Sequence, residues 1–171
     1  NTIGFAWSIR TGGTATNLTG PDGDASSNGG GKYIYTEAEQ GSKNDKAHFI
    51  TPCLDLRSYN CAILEFDYHM YGAHVDFLAI TADTGFNTSA YTGLARIDGQ
   101  QQTKSTDPFN TYSVALNDIT GDYARIRFSV NRGNSLKGDV AIDNIRIYEP
   151  PTYEVALRDV FNPENGYCSY S

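Results

Sequence analysis

The residues of this 171-residue chain best suited to chemistry are its carboxylates. Asp22 and Asp24 stand one glycine apart within TGGTATNLTGPDGDASSNGGG, the polar stretch at 11–31. Asp139 and Asp143 lie in or beside VAIDNIRIY (140–148), where Asp143 interrupts an apolar run and an uncompensated charge would be costly. Ca²⁺ takes six to eight oxygens from carboxylates and carbonyls on adaptable backbone. Asp22, Asp24, Asp139 and Asp143 are therefore the candidate ligands of a structural calcium ion. The alternative is that Asp22 and Asp24 are solvated turn residues and Asp143 bonds backbone amides.

A second set is read from alternation. In CAILEFDYHMYG (61–72), Leu64, Phe66, Tyr68 and Met70 alternate with Glu65, Asp67, His69 and Tyr71, the period of a strand with one buried face. In YARIRFSV (123–130), Ala124, Ile126, Phe128 and Val130 alternate with Arg125, Arg127 and Ser129. If the two strands adjoin, Asp67, His69, Tyr71, Arg125 and Arg127 make a ligand-binding surface of aromatic, guanidinium, imidazole and carboxylate groups. Such a surface suits sugars, whose rings stack on aromatics and whose hydroxyls and acidic groups match the arginine fork. The alternative is a solvated sheet face whose charges pair across strands. No HExxH, GxSxG, phosphate-binding glycine loop or EF-hand loop occurs. No catalytic residue is therefore assigned, and His48, His69 and His74 are too scattered to suggest a metal pair.

The elements that must position these groups are strands. GFAWSIR (4–10), KYIYTE (32–37), AHFITP (47–52), YTGLARI (91–97), YSVAL (112–116) and VAIDNIRIY join the two segments above. Cys61–Ile80 reads as two neighbouring strands joined by a turn at Gly72-Ala73-His74, and Asn131–Gly138 as a hairpin-like loop. No stretch carries a helical period over a useful length. Short strands at regular spacing, separated by Gly, Asp and Asn turns, predict a β-sandwich or barrel. Pro150-Pro151 then punctuates the chain. Residues 1–149 are expected to form the sandwich, and 150–171 a linker and the opening of a following domain, or else an extra docked strand.

Lys and Arg number 13 against 20 Asp and Glu, a net charge of −7, which offers no electrostatic footprint for nucleic acid or an anionic membrane. No apolar run is long enough to span a bilayer as a helix. The opening NTIGFAWSIR lacks Met, a basic region and an apolar core, as expected of an excised or processed segment. Cys53 and Cys61 flank the polar turn LDLRSYN. A strand–turn–strand would bring them within reach of a disulfide suited to an oxidising compartment; two free thiols are the alternative. Cys168 has no evident partner within the chain.

Taken in order, these strings resemble the MAM domain family (meprin, A5 antigen, receptor phosphatase mu). Trp7 falls in the early strand, TGPDGDAS leads into GGGKYIYTEA, HFITPCLDL precedes CAILEFDYHMYG, and GDVAIDNIRI closes the resemblance, which covers residues 4–149. The first family strand, with its Cys ahead of the Trp, is expected to be missing or cut here. Only Cys61 stands at a family Cys position, so no disulfide pairing is carried over. In these respects the chain is similar to bacterial accessory domains of secreted proteases and polysaccharide-degrading enzymes. The resemblance implies an all-β jelly-roll sandwich of two antiparallel sheets, in which early loop and last strand can be neighbours. It also implies a non-catalytic, adhesive or ligand-binding role.

The expectation is a secreted, calcium-stiffened, non-catalytic module of a multidomain protein, attached to a hydrolase or protease. It would bind an extracellular polysaccharide, neutral or anionic, or a glycoprotein. The alternative is a protein–protein adhesion or assembly domain.

Overall fold

The computed structural model describes residues 4–26, 30–85, 91–116, 119 and 121–150. The alternation of the Tyr123–Arg132 segment is realised in it: Ala124, Ile126, Phe128 and Val130 are at most 1% exposed, and Arg125 and Arg127 turn outward. In chain order the strands are β1 (Trp7–Arg10), β2 (Tyr33–Thr36), β3 (Lys46–Ile50), β4 (Leu54–Asp55), β5 (Ile63–His69), β6 (Val75–Asp83), β7 (Thr92–Asp98), β8 (Asn110–Ala115), β9 (Tyr123–Arg132) and β10 (Val140–Tyr148). A single 3₁₀ turn, Ala38–Gln40, is the only helical element among the described residues.

Two antiparallel sheets result, ordered β1-β2-β10-β5-β8 and β3-β9-β6-β7, with β4 added to β9. This is the expected all-β jelly-roll sandwich. Its core forms where the inner faces meet: Leu64, Phe66 and Met70 of the β5 segment, Leu78 and Ile80 of β6, Ile126 and Phe128 of β9, and Ile142 of β10 are all sealed from solvent. The rings of Phe66 and Phe128 meet across the sheets edge to face, centroids 5.1 Å apart, an arrangement that adds to simple area burial.

Three expectations are corrected by the topology. β5 and β6 are not a hairpin: β5 pairs with β10 and β8, and β6 with β9 and β7. Both strands are apolar on one face because they cover one core from opposite sides. The link between them is a corner in which Gly72, at φ 143°, approaches the Lys137 carbonyl so closely that a Cβ would lie 2.6 Å from its oxygen. Cys53 and Cys61 are likewise free thiols, not a disulfide. Cys53 immediately precedes β4, which belongs with β9, whereas Cys61 leads into β5 of the other sheet. The polar turn between them is an inter-sheet crossover, not the tight strand–turn–strand assumed. The 131–138 loop also crosses between sheets, since β9 and β10 do not pair. Cys168 and all but the first residue of the 150–171 segment lie outside the described residues.

Candidate functional site

On the outer face of the five-stranded sheet, β5 lies between β10 and β8. The register sets Glu65 beside Arg146 and Ser113, and Asp67 beside Asp143 and Thr111. Between Asp143 and Arg146 the β10 ladder is interrupted by a bulge, where Asn144 takes a left-handed φ of 48°. Bulges re-aim side chains, and this one turns Asn144 onto the outer face. Asn144 Nδ2 donates to Asp67 Oδ2 at 2.8 Å, and Thr111 Oγ1 donates to Asp67 Oδ1 at 2.6 Å.

Two residues along β5, Glu65 accepts from Arg146 Nε (2.8 Å), Ser113 Oγ (3.1 Å) and Tyr148 OH (3.0 Å). Arg146 first, then Tyr148 and Ser113, hold the Glu65 carboxyl below the usual glutamate range against the opposing effect of desolvation. That makes Glu65 a weaker base, the reverse of what general acid–base catalysis asks of a carboxylate. The shelf borders an open cleft of about 490 Å³ lined by Glu65, Asp67, Thr111, Asn144, Ile145 and Arg146. Its carboxylates, amide and guanidinium form a surface array of hydrogen-bond acceptors and donors with lone pairs and N–H groups to spare. Chemically it is equipped to hold a hydroxyl-rich ligand.

Of the expected binding set only Asp67 belongs here. Arg125 and Arg127 are on β9, in the other sheet, and their outward side chains face the opposite side of the sandwich. Arg125 pairs with the buried Asp83. His69, expected on an open face, is fully buried, because the polar loop after Gly99 folds over the end of β5. Gln102 clamps that end, accepting from Met70 N at 2.7 Å and donating to Tyr68 O at 3.2 Å. The Phe109 ring packs 5.3 Å from the His69 imidazole, whose pKa burial depresses to about 4. Tyr71 is half-buried, and its carbonyl accepts from Gly20 N and Thr19 Oγ1 of the early loop. Glu65, Asn144, Arg146, Thr111 and Ser113, which surround Asp67 on this face, are not in the expected binding set. Outward-facing Glu65 was the available signal; the others depend on register and bulge.

The four aspartates of the expected calcium set do not converge. Among the described residues no three carboxylate, His or Cys side chains form a metal-holding group. Asp143 accepts from Ala25 N (3.1 Å) and Asn144 N (2.8 Å), which is the backbone-bonding alternative for that residue. Asp24 accepts from Ser26 Oγ beside it, and it lines with Asp22, Asp107 and Phe109 a cleft that includes neither Asp139 nor Asp143.

Asp139 is different, being fully buried: Oδ1 accepts from Ala38 N at 2.8 Å, and Oδ2 is sealed from solvent, with the Thr14 hydroxyl and the Glu37 carboxyl as its polar neighbours. The pairing of Thr36 with Val140 brings the next residues, Glu37 and Asp139, side by side. Glu37, only 3% exposed, accepts from Thr16 Oγ1 at 2.6 Å. Neither carboxylate has an ion-pair partner among the described residues. Burial pushes the Asp139 carboxyl up to about 7, with the bonds from Ala38 N and the Thr14 hydroxyl opposing and Glu37 adding to the rise. Two adjacent buried carboxyls and threonine hydroxyls are the hard oxygen donors a cation such as Ca²⁺ takes, but fewer than its six to eight, so backbone carbonyls or water would have to complete the shell. Glu37 carries no sequence signal beyond following an apolar strand.

Comparison with known proteins accords with this architecture. The family model described as "MAM domain, meprin/A5/mu" matches residues 1–152. MAM domain-containing protein 2 of Mus musculus is 30% identical over 163 residues, covering 95% of this chain and 22% of the relative. Neuropilin-1a of Danio rerio is 31% identical over 162 residues, covering 94% and 16%. The chain thus spans about a fifth of the length of the curated relatives it matches. Among solved structures, the K1 cleaved adhesin domain of Lys-gingipain from Porphyromonas gingivalis W83 superposes with a TM-score of 0.60 at 19% identity, covering 87% of this chain and 86% of that one. That likeness is one of fold.

Proposed function

The chain belongs to the MAM domain family, and from that premise we propose that it is a non-catalytic recognition module binding an extracellular polysaccharide through the Glu65–Asp67 shelf. The observation that carries the proposal is the β10 bulge. A left-handed, non-glycine residue is a backbone cost, and here it brings the Asn144 amide into an exposed row of carboxylates, hydroxyls and guanidinium beside an open cleft. Bonds among these surface groups contribute little to stability, so fold maintenance alone does not account for the arrangement. Glycan hydroxyls, each both donor and acceptor, match it.

A structural Ca²⁺ held by Asp139 and Glu37 is part of this proposal. Two carboxyls buried side by side repel when both are ionised, one reason the Asp139 pKa is raised, and a cation between them would relieve that repulsion; this supports an ion there. The ion would tie the 3₁₀ turn and early loop to the start of β10; no catalytic chemistry is attributed to it. We place the module outside the cell, as part of a longer protein whose other domains include a secreted hydrolase or protease. Curated relatives include a glycosylphosphatidylinositol anchor protein, and among the described residues no helix is long and apolar enough to cross a membrane.

The test is affinity electrophoresis of the fragment through a panel of neutral and acidic polysaccharides, with and without EDTA. Retardation by one class without product release, lost in Asp67→Ala, is the expected result. Undisturbed migration through every polymer would overturn the glycan assignment in favour of protein–protein adhesion.

A further inference from the structure

On the opposite side of the sandwich, the outer face of the β3-β9-β6-β7 sheet has a different chemistry. The register sets His48, Ser129, Ala79 and Arg96 in one cross-strand row, and Ile50, Arg127, Thr81 and Gly93 in the next. The middle of the face is floored by small side chains, and above Gly93 even a Cβ would meet nothing within 4 Å. His48 on β3 and Arg96 on β7 flank this floor, three strand spacings or about 14 Å apart.

Two of the guanidiniums on the face, Arg127 and Arg96, are held flat. Arg127 stacks 3.5 Å over the Tyr91 ring and donates from Nε to Thr81 Oγ1 at 3.3 Å. Arg96 stacks 3.7 Å over Phe77 and donates from Nε to Asp98 at 2.7 Å. Stacking fixes each planar fork before a ligand arrives, and the terminal N–H groups beyond Nε are the ones that grip an anion bidentately. It also takes up one face of each aromatic ring, where a neutral sugar would otherwise stack.

The charge balance of the face is the reverse of the chain's. Lys46, His48, Arg96, Arg125 and Arg127 face outward; Asp98 engages Arg96, Asp83 engages Arg125 at the far end, and Asp76 accepts from Asn131 at the end near Lys46, leaving the cations in excess. Neither Lys46 nor Arg127 has a carboxylate partner within ion-pair distance among the described residues. His48, bonded to Ser129 at 2.8 Å, is held below the usual histidine range by burial and then by Arg127 and Lys46, with no carboxylate opposing. On a chain of net charge −7, this is a local patch of positive potential.

We infer that this sheet face is a second binding face, which takes an anionic polysaccharide along the floor between His48 and Arg96, its acidic groups gripped by Arg127 and Arg96. The inference presupposes a glycan ligand, and so rests on the recognition function proposed above, but it names another sheet and a charged class of ligand.

The test uses the whole chain in affinity electrophoresis against dextran sulfate, alginate, uncharged dextran and poly-glutamate. Arg96→Gln is an exposed change that leaves the core untouched; Arg127→Lys keeps the charge and removes the fork. The expected result is retardation by dextran sulfate or alginate, absent with dextran and poly-glutamate, weakened roughly tenfold in each variant and unaffected by Asp67→Ala. Neutral-glycan binding lost in Asp67→Ala but kept in Arg96→Gln would leave the shelf standing whatever happens here. Failure of both charged polysaccharides to bind, equal binding of poly-glutamate, or binding indifferent to Arg96→Gln and Arg127→Lys would overturn the second face.

Discussion

Asn144, in a left-handed conformation at φ 48°, donates its side-chain amide to Asp67 of the neighbouring strand at 2.8 Å. The two are 77 residues apart in sequence, and the bulge that joins them is the local irregularity on which the proposed shelf depends.

Replacing Asn144 separates its backbone role from its side-chain role. Glycine accepts a positive φ freely, so Asn144→Gly should stay within about 1 kcal/mol of the parent while losing polysaccharide retardation. Asn144→Val should instead cost about 1–3 kcal/mol, since β-branched residues resist that conformation. Urea midpoints alongside the binding assay decide the matter. A glycine variant that binds as well as the parent would detach the amide from recognition.

Asp139 is expected to govern the response to calcium. Ca²⁺ should raise the unfolding temperature of the parent and EDTA lower it, because a ligand bound only by the folded state stabilises it by mass action. Asp139→Ala should lose that response. In EDTA it should cost only about 1–3 kcal/mol, for the stranded Ala38 N–H. Thermal melts with and without the ion distinguish the two, and a parent indifferent to Ca²⁺ would remove the ion from the proposal.

His69 should make stability fall with acid. Above pH 6.5 the imidazole is neutral both folded and unfolded; between there and about pH 4 the unfolded chain binds a proton that the buried ring refuses. Stability from this group is therefore fully present above 6.5 and lost as pH falls towards 4, on the order of 3 kcal/mol in all. Urea melts at pH 7 and 4.5 should show a shallower loss for His69→Phe than for the parent. Equal losses would mean the ring titrates normally.

The thiols give a check on topology. Iodoacetamide applied to the native chain without reductant should label Cys53 quickly and the half-buried Cys61 more slowly, as read by peptide mass spectrometry. Exposed substitutions away from special features are usually worth less than about 0.5 kcal/mol, so Cys53→Ser should be near neutral. A Cys53–Cys61 linked peptide would restore the disulfide.

The strands and their buried faces were legible in the chain because a period of two is a local property. Leu64, Phe66 and Met70, or Ile126, Phe128 and Val130, announce their common side wherever the strand ends up. Which strands adjoin is set by non-local pairing, which no local pattern records. Cys61–Ile80 looked like a hairpin because opposite walls of one core share the same apolar alternation. His69 looked exposed because alternation cannot foresee the loop around Gln102 that folds over it. Asp143 stood out in the sequence as an acid interrupting an apolar run, and Asp139 as an acid beside the same strand. Only the β2–β10 register, however, gave Asp139 its partner Glu37, and only the bulge put Asn144 against Asp67. The sequence by itself determined the fold class, the core and the family, all carried by local periodicity and ordered strings. The tertiary structure decided which polar groups share a surface, because strand order and register bring together residues separated by tens to a hundred positions.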